Sequence, residues 1–195
     1  MDKFLEALGE NISTIIGVLG TLLGTILGWI LNNISKSGEL KFHLLEWQDD
    51  FRCKANIFIR ESKSKEQTEF YDYKVSLDIY NSSGETKILR DCEILFAKGK
   101  KVLFANTPKD DALDCCLEEN SRKEEIKAIN INPKTVMTFN WQNRFNLKKL
   151  PSAFIWETDT VYLRYRDEKN KVKQIKLFTK DYSKHFSNSE ENNNG

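Results

Sequence analysis

Hydrophobic positions obey two different rules along this 195-residue chain. From Ile12 to Leu31 they run on with no charge between them, and beyond Phe42 they tend to alternate with polar residues. Twenty helical residues rise by about 30 Å, the thickness of a bilayer's hydrocarbon core. The first rule therefore predicts a transmembrane helix over residues 12–31, preceded by an N-terminal segment, 1–11. Asn32–Gly38 (NNISKSG) reads as a short polar hinge. The second rule predicts β-strands. Tyr71, Tyr73, Val75, Leu77 and Ile79 alternate with Asp72, Lys74, Ser76 and Asp78, the pattern of a strand buried on one face. Asn81-Ser82-Ser83-Gly84 closes it as a turn.

The same alternation recurs downstream. Phe42 and Leu44 are expected on one strand face, with His43, Leu45 and Trp47 on the other. Cys92, Ile94 and Phe96 form a further face that turns at Gly99 into Val102–Phe104, a hairpin. Strands are expected at Ile126–Ile131, at Thr135–Trp141 with Met137, Phe139 and Trp141 aligned, and at Phe154–Trp156. Val161, Leu163 and Tyr165 alternate with arginines, and a turn at Asp167–Asn170 leads into Lys171–Thr179. Residues 107–125 hold seven acids and three bases and read as a long surface connection. Eight to ten short strands without β-α-β alternation predict an antiparallel β-sandwich or barrel over 39–186, with a polar, disordered tail at 187–195.

Composition narrows the class. The net charge is +1, which gives no global attraction to polyanions. The four cysteines, Cys53, Cys92, Cys115 and Cys116, have no C-x-x-C spacing, and Cys92 sits at an apolar strand position, so a reduced, cytosolic thiol set is expected. Acids outnumber bases before the apolar run, and no small-residue cleavage site follows it, which favours an uncleaved anchor over a secretory signal. Lys36 and Lys41 downstream against Lys3 upstream place the β domain in the cytoplasm and the N-terminus outside. Within the anchor Ser13, Gly17, Gly20, Gly24 and Gly28 fall on one helical stripe, a doubled small-xxx-small pattern that lets helices approach closely in lipid. This predicts a homo-oligomer formed through the helix. Glycine's general frequency in membrane helices is the plainer explanation.

Candidate chemistry is sparse. His43 and His185 lack a nucleophile motif, and no G-x-S-x-G, H-E-x-x-H or phosphate-binding loop occurs. No enzymatic activity, cofactor or metal is expected. Asp110, Asp111 and Asp114 form a weak calcium-loop pattern that reads better as a solvated acidic loop, and Cys115-Cys116 a weak acylation pattern. From Arg164 to Lys184 eight bases face three acids, with Tyr162, Tyr165, Phe178 and Tyr182 interleaved. Arg164, Arg166, Lys171, Lys173 and Lys176 are the candidate face for anionic lipid, nucleotide or nucleic acid. The competing explanation is a solvated strand face whose aromatics are core.

The glycine-patterned helix ending near Gly28-Trp29, the Gly38-Glu39-Leu40-Lys41 exit and the Val75–Ser82 strand together resemble small membrane-anchored proteins of Gram-positive bacteria and their mobile elements. In layout the chain is also similar to antiphage effectors that join two membrane helices to a nucleotide-sensing β-barrel, and to membrane-anchored abortive-infection proteins with a nucleic-acid-binding barrel. Those effectors have two helices where this chain has one, so no ligand or mechanism carries over, and the role expected is a tethered, non-enzymatic binding or sensing module. The alternatives are a ligand-triggered membrane effector and an enzyme with an unrecognised site.

Overall fold

A computed structural model of the chain describes residues 2–55, 58–110, 126, 128–150 and 154–182. Among these residues one long helix, α1 (Asp2–Lys36), precedes ten strands: β1 (Leu40–Ala55), β2 (Phe58–Glu61), β3 (Phe70–Asn81), β4 (Lys87–Lys98), β5 (Lys101–Asn106), β6 (Lys109–Asp110), β7 (Ala128–Ile131), β8 (Val136–Asn146), β9 (Thr160–Arg166) and β10 (Val172–Thr179). A single helical turn, α2 (Phe154–Glu157), stands between β8 and β9.

All strand pairings are antiparallel. One sheet has the order β2-β1-β3-β8-β6, the other β10-β9-β4-β5, with β7 pairing the first half of β4. The expected mainly β, antiparallel architecture is thus present as a two-sheet sandwich. Alternation decides what it buries. Tyr71, Tyr73, Val75, Leu77 and Ile79 of β3 face Ile94 and Phe96 of β4 and Val161, Leu163 and Tyr165 of β9 in one core. Cys92 lies in that core, and burial pushes its thiol up to about 12, a small hydrophobe rather than a nucleophile.

Three expectations need correction. In β1 the register shifts between Leu44 and Glu46, so Leu45 is an extra residue opposite β3. That bulge puts Trp47 on the face of Phe42 and Leu44, stacked 4.9 Å from Tyr73, instead of on the face of His43. Phe154–Trp156 forms the helical turn α2, not a strand. All three of its apolar side chains are buried, which the two-sided geometry of a strand does not permit when only one side faces the core. The turn plugs the gap between the sheets, with Phe154 4.5 Å from Phe104 and Trp156 4.9 Å from Phe51.

The third correction concerns the hinge. α1 continues through Asn32–Lys36, so only Ser37 and Gly38 of the seven hinge residues lie outside it. Both ends of the β domain's connection to α1 are pinned, as described below. Within α1, Thr14–Lys36 is long and apolar enough to cross a membrane, and none of it is buried against the domain. Thr21 and Thr25 donate their hydroxyls to the carbonyls of Gly17 and Leu22, so neither leaves a polar group unsatisfied on the apolar surface.

Candidate functional site

Two regions of the sandwich combine charge with defined geometry: the helix exit and the outer face of the first sheet. The exit is built on the turn between β3 and β4. Asn81 is fully buried and donates its Nδ2 to the carbonyls of Glu85 and Ile131, while its Oδ1 accepts from the backbone N–H and hydroxyl of Ser83. Every hydrogen-bonding position of the amide is engaged in shaping this turn. Onto the shaped turn the end of α1 docks. The Gly84 N–H donates to the Ser35 carbonyl at 2.7 Å, Lys36 pairs with Glu85 at 3.2 Å, and Ser82 exchanges three hydrogen bonds with Glu39.

Two glycines make the approach feasible. A Cβ on Gly84 would lie 2.5 Å from the Ser35 carbonyl oxygen, and one on Gly38, at φ +140°, would meet the Ser83 backbone at 2.7 Å. Lys134, from the turn between β7 and β8, donates to the Ser82 carbonyl, and Lys87 pairs with Glu168 at 2.7 Å, bringing in the turn between β9 and β10. Burial opposes ionisation of Glu168, yet the hydrogen bond from Lys87 holds its carboxyl below the usual range.

The outer face of the first sheet is polar along its middle rows, from His43–Asp78–Thr138 to Asp50–Asp72–Arg144. Asp50, Asp72 and Arg144 lie in one row across β1, β3 and β8. Gln48, Lys74, Gln142 and Lys109 form the next, extended by β6. A concavity of about 540 Å³ opens over these two rows and Arg52. Asp72, its side chain 14% exposed, is the hub. Arg144 donates to both its oxygens at 2.8 Å, and Arg52 reaches it at 3.3 Å while donating to Asp50 at 2.9 Å. The shared carboxylate raises Arg144 further above its ordinary value. Four bases against two acids leave the concavity at +2, with both guanidinium groups held in place and only the buried ring of Tyr73 nearby.

The YopI Ig-like domain family model matches residues 38–178, from just before β1 to the penultimate residue of β10. The chain belongs to the YopI Ig-like domain family. It is 26% identical over 173 residues to the SPbeta prophage-derived uncharacterized protein YopI of Bacillus subtilis (strain 168), covering 87% of this chain and 97% of that protein. A prophage relative in a Gram-positive bacterium agrees with the resemblance to mobile-element proteins. Similar solved structures include a protein from Archaeoglobus fulgidus (11% identity, TM-score 0.35, 71% of this chain and 98% of that one) and a β-sandwich protein from Clostridium difficile 630 (9%, 0.31, 73% and 91%). TM-scores this low carry no argument of their own.

In this YopI-family domain the five C-terminal bases do not share one face. Arg164 pairs with Glu93 at 2.7 Å and Arg166 with Asp91 at 3.3 Å on the outside of the second sheet, where Gln174 is in register with Arg164 and Lys176 with Tyr162. Asp91 reaches Arg166 from a positive-φ bulge (φ 49°) in β4. Lys173 is in register with Tyr165 and lies, with Lys171, at the cleft beside Gly38–Leu40, next to the helix exit. Tyr165 itself is core, 5.3 Å from Phe42. Of the glycine stripe, Gly17, Gly20, Gly24 and Gly28 line α1 with open space where each Cβ would stand, and Ser13 belongs to the same helix. Asp111, Asp114, Cys115, Cys116, Lys184, His185 and the tail lie outside the described residues, and Asp110 is part of β6. The polar concavity escaped sequence reading because its bases come from four separated segments. The alternation that placed Asp72 and Lys74 outward was its one available signal.

Proposed function

We propose that this chain is a membrane-anchored, non-enzymatic Ig-like binding module whose site is the concavity over the first sheet. In this reading α1 crosses the bilayer and holds the domain on the cytoplasmic side, and the small-residue stripe from Ser13 to Gly28 joins copies of the helix. The observation that carries the binding role is the Arg52–Asp72–Arg144 hub beside Lys74 and Lys109. Preorganised guanidinium groups over a net positive hollow suit a hydrophilic dianion, a phosphate-bearing small molecule in particular. Without an exposed aromatic platform, recognition by base stacking has no support here, which favours such a ligand over single-stranded nucleic acid. The reading is also closer to a sensor than to an enzyme, since the hollow offers fixed cations rather than an acid–base pair.

Calorimetric titration of the full chain in nanodiscs with pyrophosphate tests it. Binding is expected to weaken at least about tenfold in Arg144→Gln, the loss that follows when one charge-assisted bidentate contact is removed. Lys109→Gln should weaken it further. Wild-type protein that takes up no pyrophosphate and no ATP would remove the dianion site.

A further inference from the structure

At the helix exit three turns converge: β3–β4, held on Ser35 and Lys36; β7–β8, through Lys134 on Ser82; and β9–β10, through Glu168 on Lys87. We infer that these turns form a collar that rests on anionic lipid headgroups and sets the tilt of the domain on the membrane. The inference rests on the reading that α1 spans the bilayer.

Geometry leads to this surface. Trp29 suits the interfacial belt, and the seven residues from it to Lys36 rise by about 10 Å, enough to cross a headgroup layer. Because Gly84 is bonded to Ser35 and Ser82 to Glu39, the turns cannot swing away from the helix end without breaking those bonds. They therefore stand at headgroup level wherever the helix is inserted.

Charge says what they meet there. Lys36 and Lys87 are taken up by Glu85 and Glu168. Asp167 turns its carboxylate onto the backbone N–H groups of Lys169 and Lys171, shaping its own turn. The ammonium groups of Lys134, Lys169, Lys171 and Lys173 have no carboxylate partner among the described residues, and all four side chains are exposed. Among the described residues lining the cleft, the acids left against them are Glu39 and Asp167, so the collar carries a surplus of positive charge. Exposed Val136 and Val172 flank it, apolar groups suited to the boundary between headgroups and acyl chains. Arg164 and Arg166, with their acidic partners on the outer face of the second sheet, are not part of it. Lysines rather than arginines fit a diffuse anionic surface, where point charges suffice and bidentate geometry gains nothing.

Hydrogen exchange of the full chain in two kinds of nanodisc tests the collar, one phosphatidylcholine only, the other rich in phosphatidylglycerol. Amides of the turns at 82–86, 132–135 and 167–171 are expected to exchange at least about fivefold more slowly in the anionic discs, the factor that one lysine gains near such a surface. In the triple variant Lys169→Glu, Lys171→Glu, Lys173→Glu the difference should vanish, while the core amides of β3 keep wild-type protection and report that the fold is intact. Insertion with equal exchange in both discs overturns the collar and leaves the anchor standing. Failure to insert into either overturns the anchor and the collar with it.

Discussion

Asp49 shows at the scale of one residue how the sandwich is fastened. Its carboxylate, 5% exposed, accepts from Lys180 at 2.8 Å through both oxygens and from the indole N–H of Trp47 at 3.1 Å. It thereby ties β1 of one sheet to the chain just beyond β10 of the other. Lys180 also lies 5.0 Å from the ring of Tyr182, whose hydroxyl contacts Tyr71 and is pushed far up by burial and by the charge of Asp49. The two partners are not equivalent. Lys180 is 38% exposed and turns to water if Asp49 is neutralised, whereas Asp49 has no route to solvent if Lys180 is lost. Asp49→Asn is expected to cost about 2 kcal/mol and Lys180→Met about 3 kcal/mol, because stranding a buried charge costs more than removing it. Urea titration monitored by tryptophan fluorescence measures both, and an equal or reversed order would contradict the asymmetry. Neither residue stands out in the sequence, where Asp49 is one of two adjacent aspartates and Lys180 one of many lysines.

At the scale of elements, legibility followed periodicity. β3 is visible in advance because its twofold alternation is unbroken over nine residues, and β9 for the same reason. β1 was misread at Trp47 because one inserted residue exchanges the faces of everything after it, and Leu45 has no local mark of a bulge. α2 was misread because a three-residue apolar run fits a strand and a buried turn equally well until its neighbours are known. α1 was legible as a helix, but its continuation to Lys36 depends on the domain: Gly84 and Glu85 satisfy groups in a last turn that the polar residues Asn32, Asn33 and Ser35 alone would leave weak. The stripe of Gly17, Gly20, Gly24 and Gly28 carries the proposed self-association. Gly20→Leu with Gly24→Leu is expected to abolish cross-linked oligomers in membranes by filling the surface where backbones would meet. Unchanged cross-linking at equal membrane levels would leave the helix as an anchor only.

The whole molecule carries a pH signature. Asp159 accepts from the Gly99 N–H with both oxygens at 3.0 Å and from Thr160, which holds its carboxyl below the usual range, and Glu168 is likewise depressed despite its partial burial. A depressed folded-state pKa contributes stability that is complete above the unfolded value and is lost as pH falls through the folded one. Thermal stability should therefore be level near neutrality and decline below about pH 4. Asp159→Asn should lower the melting temperature at pH 7, and the deficit should shrink as pH falls through the wild-type group's lowered folded-state value. Melting curves monitored by circular dichroism across that range check it, and a variant deficit that persists in acid would assign the effect to lost shape rather than lost charge.

What the chain determined by itself was whatever depends on residues close in sequence. A charge-free run of twenty residues has helix length and lipid compatibility regardless of context, and alternating residues put one face of a strand in a core regardless of which strand lies beside it. The mainly β class, the anchor-like helix and most of the buried set follow from that. Tertiary structure alone decided which strands adjoin, and with it every feature made by residues far apart. The Asp72 hub needs β1, β3 and β8 side by side, the separation of Arg164 and Arg166 from Lys171 and Lys173 needs the pairing of β9 with both β4 and β10, and the docking of Ser35 on Gly84 needs the turn that Asn81 holds in shape. Charges distant in sequence interact only through the space that folding gives them, so a pattern read along one dimension reports their number and not their partners.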